Sequence, residues 1–179
     1  MRYLTRWNLL GLALFLAGLA AFIYGGRTPP DRVVNPPPPV VEAPARGREA
    51  VLSLYFPSSK GGKLVVERRR VVLGPGEERL ERAFSELAKG PEVSGARPLL
   101  PAGAPPPVVF DAGPVVYVDL PGEYRELGYG VEAEILLLYG LANTALANSD
   151  AEEARFLLDG KPELVLGHLS LADPFRRTR

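Results

Sequence analysis

The chain contains no cysteine and a single histidine, His168. The first absence removes disulfides, thiolate metal sites, thiol nucleophiles and a lipidated N-terminal cysteine. The second leaves little material for histidine-rich metal centres or catalytic triads. There is no excess of charge of either sign: 21 Lys and Arg balance 21 Asp and Glu, so no overall basic field attracts nucleic acid. No phosphate-cradling glycine loop and no metal-ligand spacing is present. No cofactor is expected.

What is there is unevenly arranged. Residues 1–49 carry six basic and three acidic side chains, and residues 50–179 carry fifteen and eighteen. The C-terminal part is therefore mildly acidic, which argues further against nucleic-acid binding. Residues 7–26 (WNLLGLALFLAGLAAFIYGG) contain no charge and are bounded by Arg6 and Arg27. As a helix they would span about 30 Å, the thickness of a bilayer core, with Trp7 and Tyr24 at the two interfaces. Arg2 and Arg6 keep the short tail 1–6 in the cytoplasm and send the rest outward. The competing reading is a signal peptide cleaved after Ala20. Against it, the apolar run continues through Ala21, Phe22, Ile23 and Tyr24.

Residues 27–49 hold prolines at 29, 30, 36–39 and 44. These rings fix φ and remove donors, so the segment reads as a stem. Its polyproline portion reads as a semi-rigid spacer, the whole reaching roughly 70 Å if extended, with an ordinary disordered tether as the other reading.

From residue 50 to 175, hydrophobic runs and turn signals alternate in a regular order. Val51–Phe56 alternates, with Leu52, Leu54 and Phe56 on one face. Lys63–Leu73 resumes as a strand, and its central Arg68, Arg69 and Arg70 mark an exposed or edge segment. Glu77–Lys89 is helical, with Leu80, Phe84 and Leu87 on one face. Val108–Phe110 and Val115–Leu120 form a second hairpin, Val131–Ala147 a second helix and Ala154–Leu158 a closing strand. Strand–strand–helix thus occurs twice, followed by a strand. The expected fold class is α+β, with duplicated units whose helices pack on a mostly antiparallel sheet, preceded by one transmembrane helix and followed by a short tail, 176–179. The second helix is apolar on nearly all sides. Burial between layers is the first reading of it, and a hydrophobic partner face the second.

Few residues invite a chemical reading. Asp119 ends its strand just before Pro121-Gly122, where a carboxylate serves as a turn cap or a contact. Asn143 and Thr144 interrupt the apolar helix and can bond backbone, bridge to the tail or bind a partner. Tyr124 and Tyr129 would suit a polysaccharide if exposed. His168 lies near Ser170 and Asp173, but close sequence neighbours seldom make a triad, so a packing or surface histidine is expected. The Arg68–Arg70 and Glu77/Glu78/Glu81 clusters read as solvated faces. Paired carboxylates for glycan hydrolysis need a defined separation, which the spacing does not supply.

Several pieces, in order, resemble the GerMN domain, named for the GerM proteins of sporulation and spore germination. They are Leu54-Tyr55-Phe56-Pro57, Leu87-Ala88-Lys89-Gly90-Pro91, Leu100-Pro101-Ala102-Gly103, Val116-Tyr117-Val118-Asp119-Leu120, Asn143-Thr144-Ala145-Leu146, Phe156–Lys161 and Gly167-His168-Leu169-Ser170. The resemblance covers about Val51 to Arg177 and implies a duplicated fold similar to ring-building motifs. It implies a non-enzymatic envelope protein whose partners are other envelope proteins or the cell wall. It supplies no catalytic residues. The chain departs from many relatives in having the apolar segment where they carry a lipid-bearing cysteine, and in having one copy of the domain. A peptidoglycan- or polysaccharide-binding module is the alternative, and a wall hydrolase a third.

Overall fold

The computed structural model describes residues 6–25 and 47–176, with side chains from residue 9 in the first segment. The chain divides into two compact units, 1–43 and 44–179. In the first, helix α1 runs over Arg6–Gly25, where the uncharged run predicts one. Its side chains from Leu9 to Gly25 are all exposed, on every side of the helix. Among the described residues no helix is long and apolar enough to cross a membrane, so the expected transmembrane span is not shown. The proline-rich stem lies outside the described residues up to position 46, and Arg48 and Glu49 already belong to the first strand.

In the second unit, β1 (Arg48–Pro57) and β2 (Leu64–Leu73) pair antiparallel along ten residues each. Helix α2 (Arg79–Ala88) follows. A second antiparallel hairpin joins β3 (Val108–Ala112) to β4 (Val115–Leu120). A 3-10 turn at Gly122–Glu126 leads to α3 (Val131–Ala147) and then to β5 (Glu153–Leu158). The two-residue strands β6 (Lys161–Pro162) and β7 (Phe175–Arg176) both pair with β5.

The expected elements and their order are found, but the sheet is not one mostly antiparallel layer. The hairpin β1–β2 stands as its own two-stranded sheet, apart from a five-stranded sheet built on β3, β4 and β5. Strands β4 and β5 are parallel, with Val115 opposite Glu153 and Leu120 opposite Leu158. The length of α3 explains this: a 17-residue helix carries the chain back about 25 Å, so the next strand starts level with the start of β4 and runs the same way.

Helix α3 packs on β1 as well as on β4, β5 and β7. Leu137, Leu138, Leu141, Ala142, Ala145 and Leu146 are fully buried, while Ile135 and Tyr139 remain more than a third exposed. That double cover accounts for a helix apolar nearly all round. The faces read from periodicity meet there: Leu52, Leu54 and Phe56 of β1, Leu80, Phe84 and Leu87 of α2, and Val116, Val118 and Leu120 of β4. Gly140 lets Leu99 lie against the helix, since a Cβ at that position would come within 2.7 Å of Leu99 Cδ1.

Candidate functional site

Among the described residues, four clusters of bonded polar groups join the elements of the domain. The first is the outer edge of β1. Thr144 is fully buried, and its Oγ1 accepts a hydrogen bond from Tyr55 N at 3.1 Å. One helical turn on, Asn148 accepts from Ser53 N through Oδ1 at 3.1 Å and donates through Nδ2 to Ser53 O at 2.8 Å. Four residues of helix rise about 6 Å and two residues of strand about 6.8 Å, so two side chains at i and i+4 can serve alternate strand positions. Arg79 Nη2 adds a bond to Val51 O at 2.7 Å, and Arg97 N donates to Pro57 O at 2.9 Å. Helix α3 and its neighbours thereby occupy the edge of β1 that another strand would take. Asn143, the other polar interruption of the helix, is half-buried and takes no part in these bonds.

Asn148→Leu should leave both Ser53 backbone groups without partners. The expected loss is about 2–3 kcal/mol, read as a lower urea midpoint. Faster amide exchange at Ser53 than at β4 would locate it, and unchanged exchange there would contradict the assignment.

The second place is the carboxyl end of the parallel pair β4–β5. Asp119 Oδ1 accepts from Gly160 N at 2.9 Å, and Asp159 Oδ1 accepts from Gly122 N at 2.9 Å. Asp119 is therefore a turn cap, but for the turn after β5 rather than for its own Pro121-Gly122. Each strand ends on a carboxylate that holds the other strand's turn. Any side chain at Gly122 would meet the Asp159 carboxylate.

The third place joins α3 to the C-terminal loop. Glu134, in the first turn of α3, is buried. Its oxygens accept from Gly167 N (3.1 Å), His168 N (2.9 Å) and Leu169 N (2.9 Å), and Oε2 lies 2.9 Å from His168 Nδ1. Burial alone would raise its pKa. The Leu169 amide, the His168 side chain and the amides of His168 and Gly167 outweigh burial and hold the carboxyl below its ordinary value. His168 is thus a half-exposed partner of Glu134, and the Ser170 hydroxyl is turned to Ala172 N at 3.3 Å. A small cavity of about 80 Å³ lies beside it, lined by Tyr124, Tyr129, Glu134 and His168 among others. It is far below the size of a ligand pocket. Tyr124 is 2% exposed, because the 3-10 turn places it on the same side as Leu127, facing the core. Burial chiefly, and Tyr129 beside it, push its phenol well above the ordinary value, and its hydroxyl donates to Pro105 O at 3.2 Å. It offers no free ring face; Tyr129 is half-buried.

The fourth place corrects the reading of Arg68–Arg70 as a wholly solvated face. Arg68 and Arg70 are exposed, but Arg69 points inward and is 7% exposed. Its Nε donates to Glu67 Oε1 at 2.9 Å, its Nη1 to Glu86 Oε2 at 3.0 Å and its Nη2 to Gly90 O at 3.0 Å. Glu67 Oε2 in turn accepts from Glu92 N at 2.8 Å and Val93 N at 3.2 Å. Glu86 also binds Arg82 at 2.9 Å and Lys89 at 2.6 Å. Burial raises the pKa of both carboxyls. For Glu67 the amides of Glu92 and Val93 and the Arg69 guanidinium more than reverse that, and for Glu86 Lys89, Arg69 and Arg82 do so. Strand alternation was the available signal for Arg69: it lies on the Leu73 side of β2, opposite Leu52.

A wider cleft of about 520 Å³ separates the start of α2 from β3, lined by Glu78, Glu81, Phe110, Asp111 and Asp150 among others. Among the described residues no group of His, Cys, Asp and Glu could hold a metal ion.

These features define a small α+β domain in which two hairpins and two helices share one core, with its buried polar groups given over to joining those elements. The chain belongs to the Germane family, described as sporulation and spore germination, which residues 53–164 match. The expected GerMN-type domain is therefore present. Among solved structures, the fold is similar to the tandem GerMN domains of the sporulation protein GerM from Bacillus subtilis, with a TM-score of 0.58 and 20% identity. That match covers 73% of this chain but 47% of the other, so the chain spans about half of the tandem structure. The first GerMN domain of the same protein gives a TM-score of 0.56 at 20% identity, covering 72% of this chain and 98% of that domain. No curated protein matches the chain.

Proposed function

We propose that this protein is a membrane-associated, non-enzymatic assembly module whose Germane domain acts outside the cytoplasm by binding an envelope protein. The observation that carries the membrane part is α1. It is 20 residues long, about 30 Å as a helix, and from Leu9 onward large apolar side chains such as Leu14, Phe15 and Phe22 are exposed on all sides. A helix of this kind needs a cover, and lipid tails provide one. Residues 9–25 alone would reach only about 26 Å, and the uncharged Trp7 and Asn8 extend the run toward bilayer thickness. The arginines at positions 2 and 6 orient it with the domain outward.

A binding role is supported by how the polar groups are spent. Glu67, Glu86, Glu134, Asp119 and Asp159 each hold backbone or a cation within the domain. The polysaccharide reading loses support, because Tyr124 faces the core. Membranes from cells making the full chain should retain it through an alkaline wash, and intact spheroplasts should leave the domain open to added protease. Release by alkali would remove the anchor from the proposal. Crosslinking in intact cells, followed by identification of what is joined to the domain, tests the assembly role.

A further inference from the structure

We propose that the free edge of β2 is a strand-addition site for an extended peptide segment bearing carboxylates at alternate positions. The proposal rests on reading the domain as a binding module and names the surface and the chemistry of its partner.

The geometry follows from the register. On β1, residues 51, 53, 55 and 57 turn backbone groups away from β2, toward Arg79, Asn148, Thr144 and Arg97. Their cross-strand partners are Arg70, Arg68, Val66 and Leu64. In an antiparallel ladder such pairs exchange no hydrogen bonds with each other, and both members point outward. Val66, Arg68 and Arg70 must therefore aim N–H and C=O away from β1. Among the described residues no strand takes them up. The edge strand is ten residues long with unbroken register and no proline within it. Open edges of that length are usually blunted or covered. This one is held in place from the inner face by the Arg69 network, so it is ordered before any partner arrives.

Side chains supply the selection. Val66, Arg68, Arg70 and Val72 are all exposed on the outer face of β2. Neither Arg68 nor Arg70 enters an ion pair among the described residues, whereas the Arg69 between them is fully engaged. A second copy of this strand is a poor occupant, because antiparallel pairing around position 69 sets Arg68 against Arg70, and like charges opposite each other destabilise a sheet. The complementary occupant reads apolar, acidic, acidic, apolar at alternate positions. Its backbone supplies the ladder and its carboxylates the pairing with the two guanidiniums.

The test uses the full chain in detergent and a labelled synthetic peptide, Thr-Val-Thr-Glu-Thr-Glu-Thr-Val-Thr, followed by fluorescence anisotropy. Saturable binding is expected, with amide-exchange protection appearing at Val66, Arg68 and Arg70. Arg68→Glu/Arg70→Glu, both at exposed positions, should weaken it about tenfold or more. A peptide N-methylated at the amides that would face β2 keeps its charge but cannot pair, and should not bind. Equal binding of the N-methylated peptide, equal binding of a Glu-to-Lys peptide or no saturable binding would each overturn the proposal. Failure here with successful crosslinking through another face would leave the assembly role standing, and failure of the alkaline-wash test would leave the edge untouched.

Discussion

Arg69→Met is expected to lower the stability of the domain by about 3–5 kcal/mol, because it strips the shared cation from two buried carboxylates. Glu67 and Glu86 are each about 4% exposed; Glu86 keeps Arg82 and Lys89 when the guanidinium goes, but Glu67 is left with no cation and cannot recover its hydration. The substitution also removes the bonds to the Glu86 and Gly90 carbonyls, which fasten β2 to the end of α2. Set against a total stability of about 5–15 kcal/mol for a domain of this size, the loss should move the melting temperature by roughly 10–20 °C. Urea unfolding at neutral pH measures it directly. A double variant, Glu67→Gln with Arg69→Met, should recover most of the loss, since Glu86 keeps Arg82 and Lys89 and no uncompensated charge remains buried. The single variant should also recover part of its deficit in acid, where the two carboxyls can take protons. If Arg69→Met proves as stable as the parent, the network is not holding the hairpin.

The second large effect concerns the clasp between α3 and the C-terminal loop. Glu134→Ala removes the acceptor of three backbone N–H groups and of the His168 ring, and should cost about 2–4 kcal/mol. Amide exchange at Gly167, His168 and Leu169 should accelerate more than in β4. The effect should depend on pH in a defined direction. In the folded protein the Glu134 carboxyl lies below its ordinary value of 4.5, so the unfolded chain binds the proton more readily. The stabilisation is then complete above about pH 4.5 and fades as pH falls from there through the folded-state value. Glu134→Gln keeps one acceptor but cannot titrate. The gap between it and the parent should therefore be widest near neutrality and close in acid. A gap independent of pH would mean that the charge of Glu134 contributes nothing.

Much of the architecture was readable because it is local. Alternation in Val51–Phe56 and Val115–Leu120 marked strands and their buried faces. Helical spacing in Leu80, Phe84 and Leu87 marked the inner side of α2, and the apolarity of α3 on nearly all sides pointed to burial between layers. The GerMN likeness came from short pieces in a fixed order, all but the last of which, Gly167–Ser170, lie within the span 53–164 that the family match covers. The candidate residues were less legible. Thr144 interrupts an apolar helix and bonds backbone, and the side chain that joins it at the seam is Asn148, one turn on, which no local pattern marks. Asp119, open between a turn cap and a contact in the sequence, caps the turn after β5 and not its own Pro121-Gly122. Tyr124 was read from a polar loop that folds inward as a single 3-10 turn.

The sequence by itself determined the strands and helices, their inward faces, the uncharged N-terminal run and the absence of thiol and histidine-rich chemistry. Each of these depends on neighbours within a turn or a few residues, where backbone geometry sets a fixed period. The tertiary structure decided which edges pair, which charges are buried and which turn each carboxylate holds. Thr144 and Asn148 meet β1 across 89 and 95 residues, and Asp119 meets Gly160 across 41. Contacts at such separations arise only when packing brings the elements together, and no period in the chain encodes them. The same packing turned Arg69 inward while leaving Arg68 and Arg70 on an open edge, dividing three adjacent, chemically identical side chains between the core and the surface.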